Sequence, residues 1–466
     1  MTFIFYDTET TGTDISFDQI VQFGAIRTDD KLNELDRFEI RCRLMPHVVP
    51  SPSAMQVTRV TPFMLTDPSL PSYFEATQLI CKKMREWSPA TFFGYNSISF
   101  DENLMRQAFY QTLQPIYLTN TGGNSRGDVM RMLRATNIFA PNAIAVPLND
   151  KGRPTFKLDT LAPANGFTHD NAHEAISDVE ATIYMSKLMK DRTPGIWQNM
   201  LNLRSKQNVL YFINQNEVFV GADVYFGEAH SWLLTHCGSN PNYNAEFAAF
   251  DLSFIPDDYI NLSVGELVNV LNGKDKPIRI FKSNSQPILM PRELMPQNTI
   301  SEDITSDEIE RRLAQIRNNR EFKERVGYAL AGRYDDMEPS PYVEKRIFDG
   351  FSSDADMLLM ANFQSGNWEE KLVLAKQLDD PRLREMARRQ IYFEQPDLLS
   401  VAVRQDLDEW VIKRLSTNDP DVPWRTIPTA LKEADKLLEA TNSDEAAFMM
   451  SVRKFILGLV EEPPKC

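Results

Sequence analysis

Asp7 and Glu9 stand two residues apart, directly after the apolar run Phe3-Ile4-Phe5-Tyr6. Side chains alternate along a strand, so the two acids share one face while Thr8 points away. Two acids crowded at the end of a buried strand repel each other, and a cation between them relieves the repulsion. The segment Thr10-Thr11-Gly12-Thr13-Asp14 is turn-forming and sets the pair at the mouth of a sheet. Two further segments offer more of what a divalent metal site requires. Asn96-Ser97-Ile98-Ser99-Phe100-Asp101 delivers a third carboxylate where a strand runs into a helix, and His173-Glu174-Ala175-Ile176-Ser177-Asp178 delivers a histidine and a fourth. Hard oxygen ligands suit magnesium, which keeps several of its waters. In two-ion hydrolysis one ion activates the attacking water and the other steadies the leaving oxygen. A histidine near its ordinary pKa of ~6.5 can accept the water's proton. Each segment alone has a plain structural explanation: solvated loop acids, a helix cap, a structural histidine. Their order and joint presence favour the metal reading.

The elements that must position these residues alternate between strand and helix over residues 1–190. Phe3–Tyr6, Gln22–Ile26, Phe38–Ile40 and Thr91–Tyr95 read as strands, and Tyr73–Trp87, Asp101–Gln111 and His173–Lys190 as helices. The stretch 114–165 reads as loop-rich. Together these predict a mixed α/β domain. From about 208 to 295 short β-like runs dominate (Val218–Val220, Trp232–Leu234, Phe247–Phe250, Ile278–Phe281), which suits a small barrel. Thr305-Ser306-Asp307-Glu308 reads as a capping box, with Ile304 and Ile309 as its hydrophobic staple. Beyond about 345 the pattern is helical.

The 466 residues imply several domains. The scattered Cys42, Cys81, Cys237 and Cys466 argue for a reducing cytoplasm and against structural zinc or a disulfide framework. Met1-Thr2-Phe3 lacks a basic lead-in, so no signal peptide is expected, and no window suits a membrane helix. The net charge of −15 argues against a nucleic-acid partner, yet residues 81–160 carry ten Lys/Arg against six acids. An acidic body with one basic stretch suits a polyanion held along a groove, although charge alone favours a solvated basic face.

Tyr6–Gly12, Asn96–Asp101 and His173–Asp178 resemble the motifs of the DEDDh exonuclease superfamily, and within it the chain resembles the bacterial exonuclease I family over nearly its full length. Pro154–Leu158, Ala164–Gly166 and Phe348–Asp356 carry the resemblance further, the last outside the catalytic domain. The resemblance implies an α/β ribonuclease H-like exonuclease domain (1–192), an SH3-like β-barrel domain with flanking helices (193–345) and a C-terminal all-α domain (346–466). It implies a 3′→5′ exodeoxyribonuclease that degrades single-stranded DNA to 5′-mononucleotides in DNA repair, with two Mg²⁺ ions or Mn²⁺ in their place. In that scheme Asp7, Glu9, Asp101 and Asp178 hold the metals, His173 is the general base, and Glu9 also meets the terminal nucleotide. Lys157 holds substrate where the family often has arginine, keeping a point charge without the bidentate fork. Arg106, Tyr117 and Arg131 track the strand. The loop 118–127 is shorter than the family's usual one. A cytoplasmic monomer is expected, with no membrane association and one protein partner: the acidic tail of single-stranded-DNA-binding protein. Arg311, Arg312, Arg317, Arg320 and Arg325 are candidates for holding that tail. Competing readings are an RNA-trimming relative and a non-catalytic single-strand-binding module on the same fold.

Overall fold

The computed structural model describes residues 2–168, 174–334, 338–440 and 443–459. Five strands, β1 (Phe3–Thr10), β2 (Ile20–Thr28), β3 (Glu34–Arg41), β4 (Thr91–Gly94) and β5 (Ser125–Asp128), form a sheet in the order β3-β2-β1-β4-β5. β1 and β2 run antiparallel, as do β2 and β3, whereas β4 and β5 are parallel to their neighbours. Helices cover both faces of this sheet, so β1 is apolar in every position before its acids. Phe3 and Phe5 enter one core, shared with the helices Val129–Phe139 and Ala175–Arg192. Ile4 and Tyr6 enter a second core on the opposite face, shared with the helices Tyr73–Glu86 and Asp101–Gln111.

The second sheet is antiparallel throughout, in the order β10-β6-β7-β8-β9, from β6 (Phe219–Tyr225), β7 (Glu228–Ser239), β8 (Glu246–Asp251), β9 (Ile278–Lys282) and β10 (Ile288–Pro291). Residues from both its faces, such as Phe247 and Ala248 of β8, are buried in the core that holds Phe3 and Phe5. The C-terminal helices Ile427–Ala440 and Ser443–Gly458 contribute Ala430, Ala434 and Val452 to the opposite core. One five-stranded sheet is therefore packed between the other two parts of the chain. Among the described residues, no helix is long and apolar enough to cross a membrane.

Two local expectations need correction. The stretch 114–165 is not loop throughout: it contains β5 and the helix Val129–Phe139. β5 reads Ser-Arg-Gly-Asp and offers no apolar run, whereas Asp128 ahead of Val129, Met132 and Leu133 was a helix-start signal. At residue 305 only half a capping box forms. Thr305 Oγ1 accepts from the Glu308 amide, but the Glu308 carboxylate turns to Arg311 and Arg312. Charge-assisted pairing outcompetes a bond to a backbone amide that water can reach.

Candidate active site

β1 lies at the centre of its sheet, and its C-terminal end carries the acids. Asp7 pairs with Gly24 of β2 and Glu9 with Gln22, with a bulge just beyond Glu9. Odd-numbered residues of β1 face the helix Ala175–Arg192, which brings Asp178 in its first turn. A carboxylate there is stabilised by the helix's free amides and positive end. Oxygen atoms of Asp7, Glu9 and Asp178 all lie within 4.8 Å of one another.

This approach depends on a residue that carries no chemistry of its own. A Cβ at Gly24 would lie 2.9 Å from the carbonyl carbon of Ala175 and from the amide nitrogen of Ile176. Glycine at that strand position lets the helix settle against the sheet, and the lone glycine within an apolar strand was its only signal.

Asp101 reaches the site from the other face. Its helix packs on the even-numbered side of β1, and Asp101 Oδ1 accepts from Thr8 Oγ1 at 2.6 Å. It is not one of the three acids within 4.8 Å, yet its charge is the largest electrostatic cause, after burial, of the raised pKa of Asp7. The loop ahead of Asp101 is held by Asp128, whose carboxylate accepts from the amides of Asn96 and Ile98 at 3.1 and 3.3 Å. Asp128 is a positioning acid that motif reading passed over.

Burial pushes Asp7 well above the carboxylate range, and the neighbouring acids add to it. Burial and then Asp178 and Asp101 push Glu9 up to about 9, and burial raises Asp101 to about 6. Holding these carboxylates charged side by side is costly, and a cation between them offsets that cost. Among the described residues it is the one cluster of at least three potential ligands so grouped, and all its donors are oxygens. The residues therefore fit a hard divalent ion.

The remaining site residues are dispersed around this cluster. Lys157 is exposed ahead of the helix Leu158–Ala164 and lines a cleft of about 700 Å³ together with Asp178 and Arg134. Arg131 opens instead onto a second groove of about 460 Å³, beside Trp232 and Arg279 of the second sheet. Arg106 is only 9% exposed: it pairs with Glu102 at 2.8 Å and lies 5.2 Å from the centroid of the Tyr117 ring. Its charge is committed internally, and Tyr117 is the partly exposed member of that pair. Tyr117 in turn meets Phe351, 88% exposed, at a centroid separation of 6.1 Å. His173 lies outside the described residues.

The five arginines that were candidates by charge for a partner's tail all have internal partners. Arg311 and Arg312 pair with Glu308, Arg317 with Glu217 and Arg320 with Glu324. Arg325 donates to the carbonyls of Ile260 and Leu262.

An exonuclease family model (RNase_T) matches residues 4–185. Exodeoxyribonuclease I of Escherichia coli is 30% identical over 376 residues, which is 77% of this chain and 78% of that protein. The crystal structure of E. coli exonuclease I with a dA16 oligonucleotide superposes with a TM-score of 0.85 at 24% identity, covering 98% of this chain and 100% of the other. The zinc-bound form of the E. coli enzyme with single-stranded DNA gives 0.84 at 23% identity, covering 98% and 99%. The solved structures share the fold, and the identity carried across three quarters of both sequences shows the lineage. The chain belongs to the exodeoxyribonuclease I family.

Proposed function

We propose that this protein is a metal-dependent 3′→5′ exodeoxyribonuclease that removes 5′-mononucleotides from single-stranded DNA. The observation that carries the reading is the three-acid cluster of Asp7, Glu9 and Asp178 at a cleft that Lys157 shares. In this reading Asp7, Glu9 and Asp178 would hold two divalent ions, magnesium or manganese, with Asp101 completing the set from the opposite face. When bound, the ions supply an activated water and charge stabilisation at the leaving oxygen.

The protein's own groups do the rest. His173 takes the proton of the attacking water. Lys157, as a point charge, holds a phosphate of the strand. Glu9 lies against the terminal nucleotide, and Tyr117 and Arg131 lead the strand away over surfaces where stacking and charge suffice. Hydrolysis breaks the last P–O3′ bond, releases a 5′-mononucleotide and leaves a new 3′-hydroxyl.

The same reading divides the chain into an exonuclease domain (1–192), an SH3-like barrel domain (193–345) and a helical domain (346–466). It makes the protein a cytoplasmic monomer in DNA repair that meets the acidic tail of single-stranded-DNA-binding protein.

End-labelled single-stranded DNA, duplex DNA and RNA, each incubated with magnesium or with chelator, tests the reading. Release of labelled mononucleotide from the 3′ end of the DNA single strand, with magnesium only, is the expected result. Preferential trimming of RNA would replace it with the RNA-processing alternative, and binding without cleavage would leave a non-catalytic module.

A further inference from the structure

The tip of the β6–β7 hairpin carries two costs on one residue. Tyr225 pairs with Glu228, so Phe226 and Gly227 alone form the turn, with φ of 53° and 86°. Two left-handed residues in a two-residue loop define the type I′ turn, whose first position favours Asn, Asp or Gly. A phenylalanine Cβ is strained there. The ring recovers nothing by burial, being 86% exposed.

Nothing in the docking of the hairpin requires that ring. A Cβ at Gly227 would lie 2.6 Å from the Pro154 carbonyl oxygen and 3.2 Å from Arg153 Cβ, so the tip is seated by its backbone. Asp223 of β6 adds an ion pair to Arg134 at 3.6 Å. The hairpin is thus fixed to the first domain, and Phe226 lines the same 700 Å³ cleft as Asp178 and Lys157. A strained backbone and an exposed aromatic ring at the rim of an active-site cleft point to a partner outside the chain.

We propose that Phe226 is a substrate-stacking residue: its ring stacks on a base of the single strand in the cleft and so sets how the 3′ end approaches the acids. The inference rests on the single-strand reading above. Every base offers a π-face, so the contact is indifferent to sequence while it fixes the strand's position. Lys157 supplies an exposed cation on the same cleft for a neighbouring phosphate.

The test uses the full-length protein with chelator present, so that binding is read without cleavage. Phe226→Ala should weaken binding of an oligothymidylate by about 5- to 150-fold, the range of a lost base stack. Phe226→Trp should bind like the wild type. Phe226→Asn should bind as weakly as Phe226→Ala yet melt no lower than wild type, because asparagine suits the turn. A single abasic site moved along the oligonucleotide should weaken wild-type binding at one position and leave Phe226→Ala indifferent there. Alanine and asparagine variants that bind normally would overturn the inference while leaving the single-strand reading intact. The same holds if all three variants lose Tm and binding together, which marks a structural ring. Normal single-strand binding with newly gained duplex digestion would also overturn stacking, in favour of strand exclusion. Wild-type protein that neither binds nor degrades single-stranded DNA would overturn both.

Discussion

β1 of the first sheet sends Phe3 and Phe5 into one core and Ile4 and Tyr6 into another, whereas the second sheet leaves Tyr225, Trp232 and Arg279 along a groove open to solvent. The acids sit where the buried strand ends; the aromatics and cations sit at partly exposed positions of a sheet that is otherwise buried on both faces. Burial on both faces removes the freedom of Asp7 and Glu9 and raises the cost of their charges, which makes the site selective for a cation. Half-exposure does the opposite. The Arg279 guanidinium lies 3.7 Å from the centroid of the Trp232 ring and pairs with Asp251 at 3.2 Å, leaving a partly exposed cation–aromatic surface. In the proposed reading, catalysis falls to the buried strand end and strand holding to the partly exposed groove.

Breaking the rigid side should have the larger effects. Asp178→Ala should reduce exonuclease activity to that of the chelated enzyme and abolish the rise in Tm that magnesium gives the wild type, read by an end-labelled assay and a thermal melt. Retained activity with magnesium would remove the acidic cluster from the mechanism. Phe5→Ala, in the fully buried strand behind the acids, should cost about 3–5 kcal/mol in denaturant unfolding. Gly24→Ala should cost about 1–3 kcal/mol, as overpacking does, and lower activity disproportionately because it pushes the Asp178 helix outward. A variant as active as wild type would show that the helix can yield without moving the acid.

On the accessible side the effects should be smaller and salt-dependent. Lys157→Ala should leave Tm unchanged, since the side chain is exposed. It should weaken strand binding and make the salt dependence of binding shallower by about one unit of slope. An unaltered slope would mean that Lys157 touches no phosphate.

The acidic site was legible because alternation along a strand and the helix that follows are local rules: Asp7, Glu9, Asp101 and Asp178 could be picked from spacing and order. Gly24, Asp128 and Glu102 could not. Their roles arise where β2 meets the Asp178 helix, where β5 meets the loop before Asp101, and where Arg106 meets a buried carboxylate. Arg106 shows the limit from the other direction. A cation in a basic stretch looks available in sequence, and only the fold buries it against Glu102.

The amino-acid sequence by itself determined which residue types stand at strand ends and helix starts, because period-two alternation and capping act within a few residues. It therefore determined that four acids could converge, and that an apolar β1 would be buried. Only the tertiary structure decided how they converge. Asp178 arrives on the odd face of β1 with Asp7 and Glu9, and Asp101 on the even face with Thr8, because helices pack on both sides of the sheet. It also decided that the second sheet's hairpin reaches the same cleft, since contacts between distant segments depend on packing and on backbone clearance at single glycines.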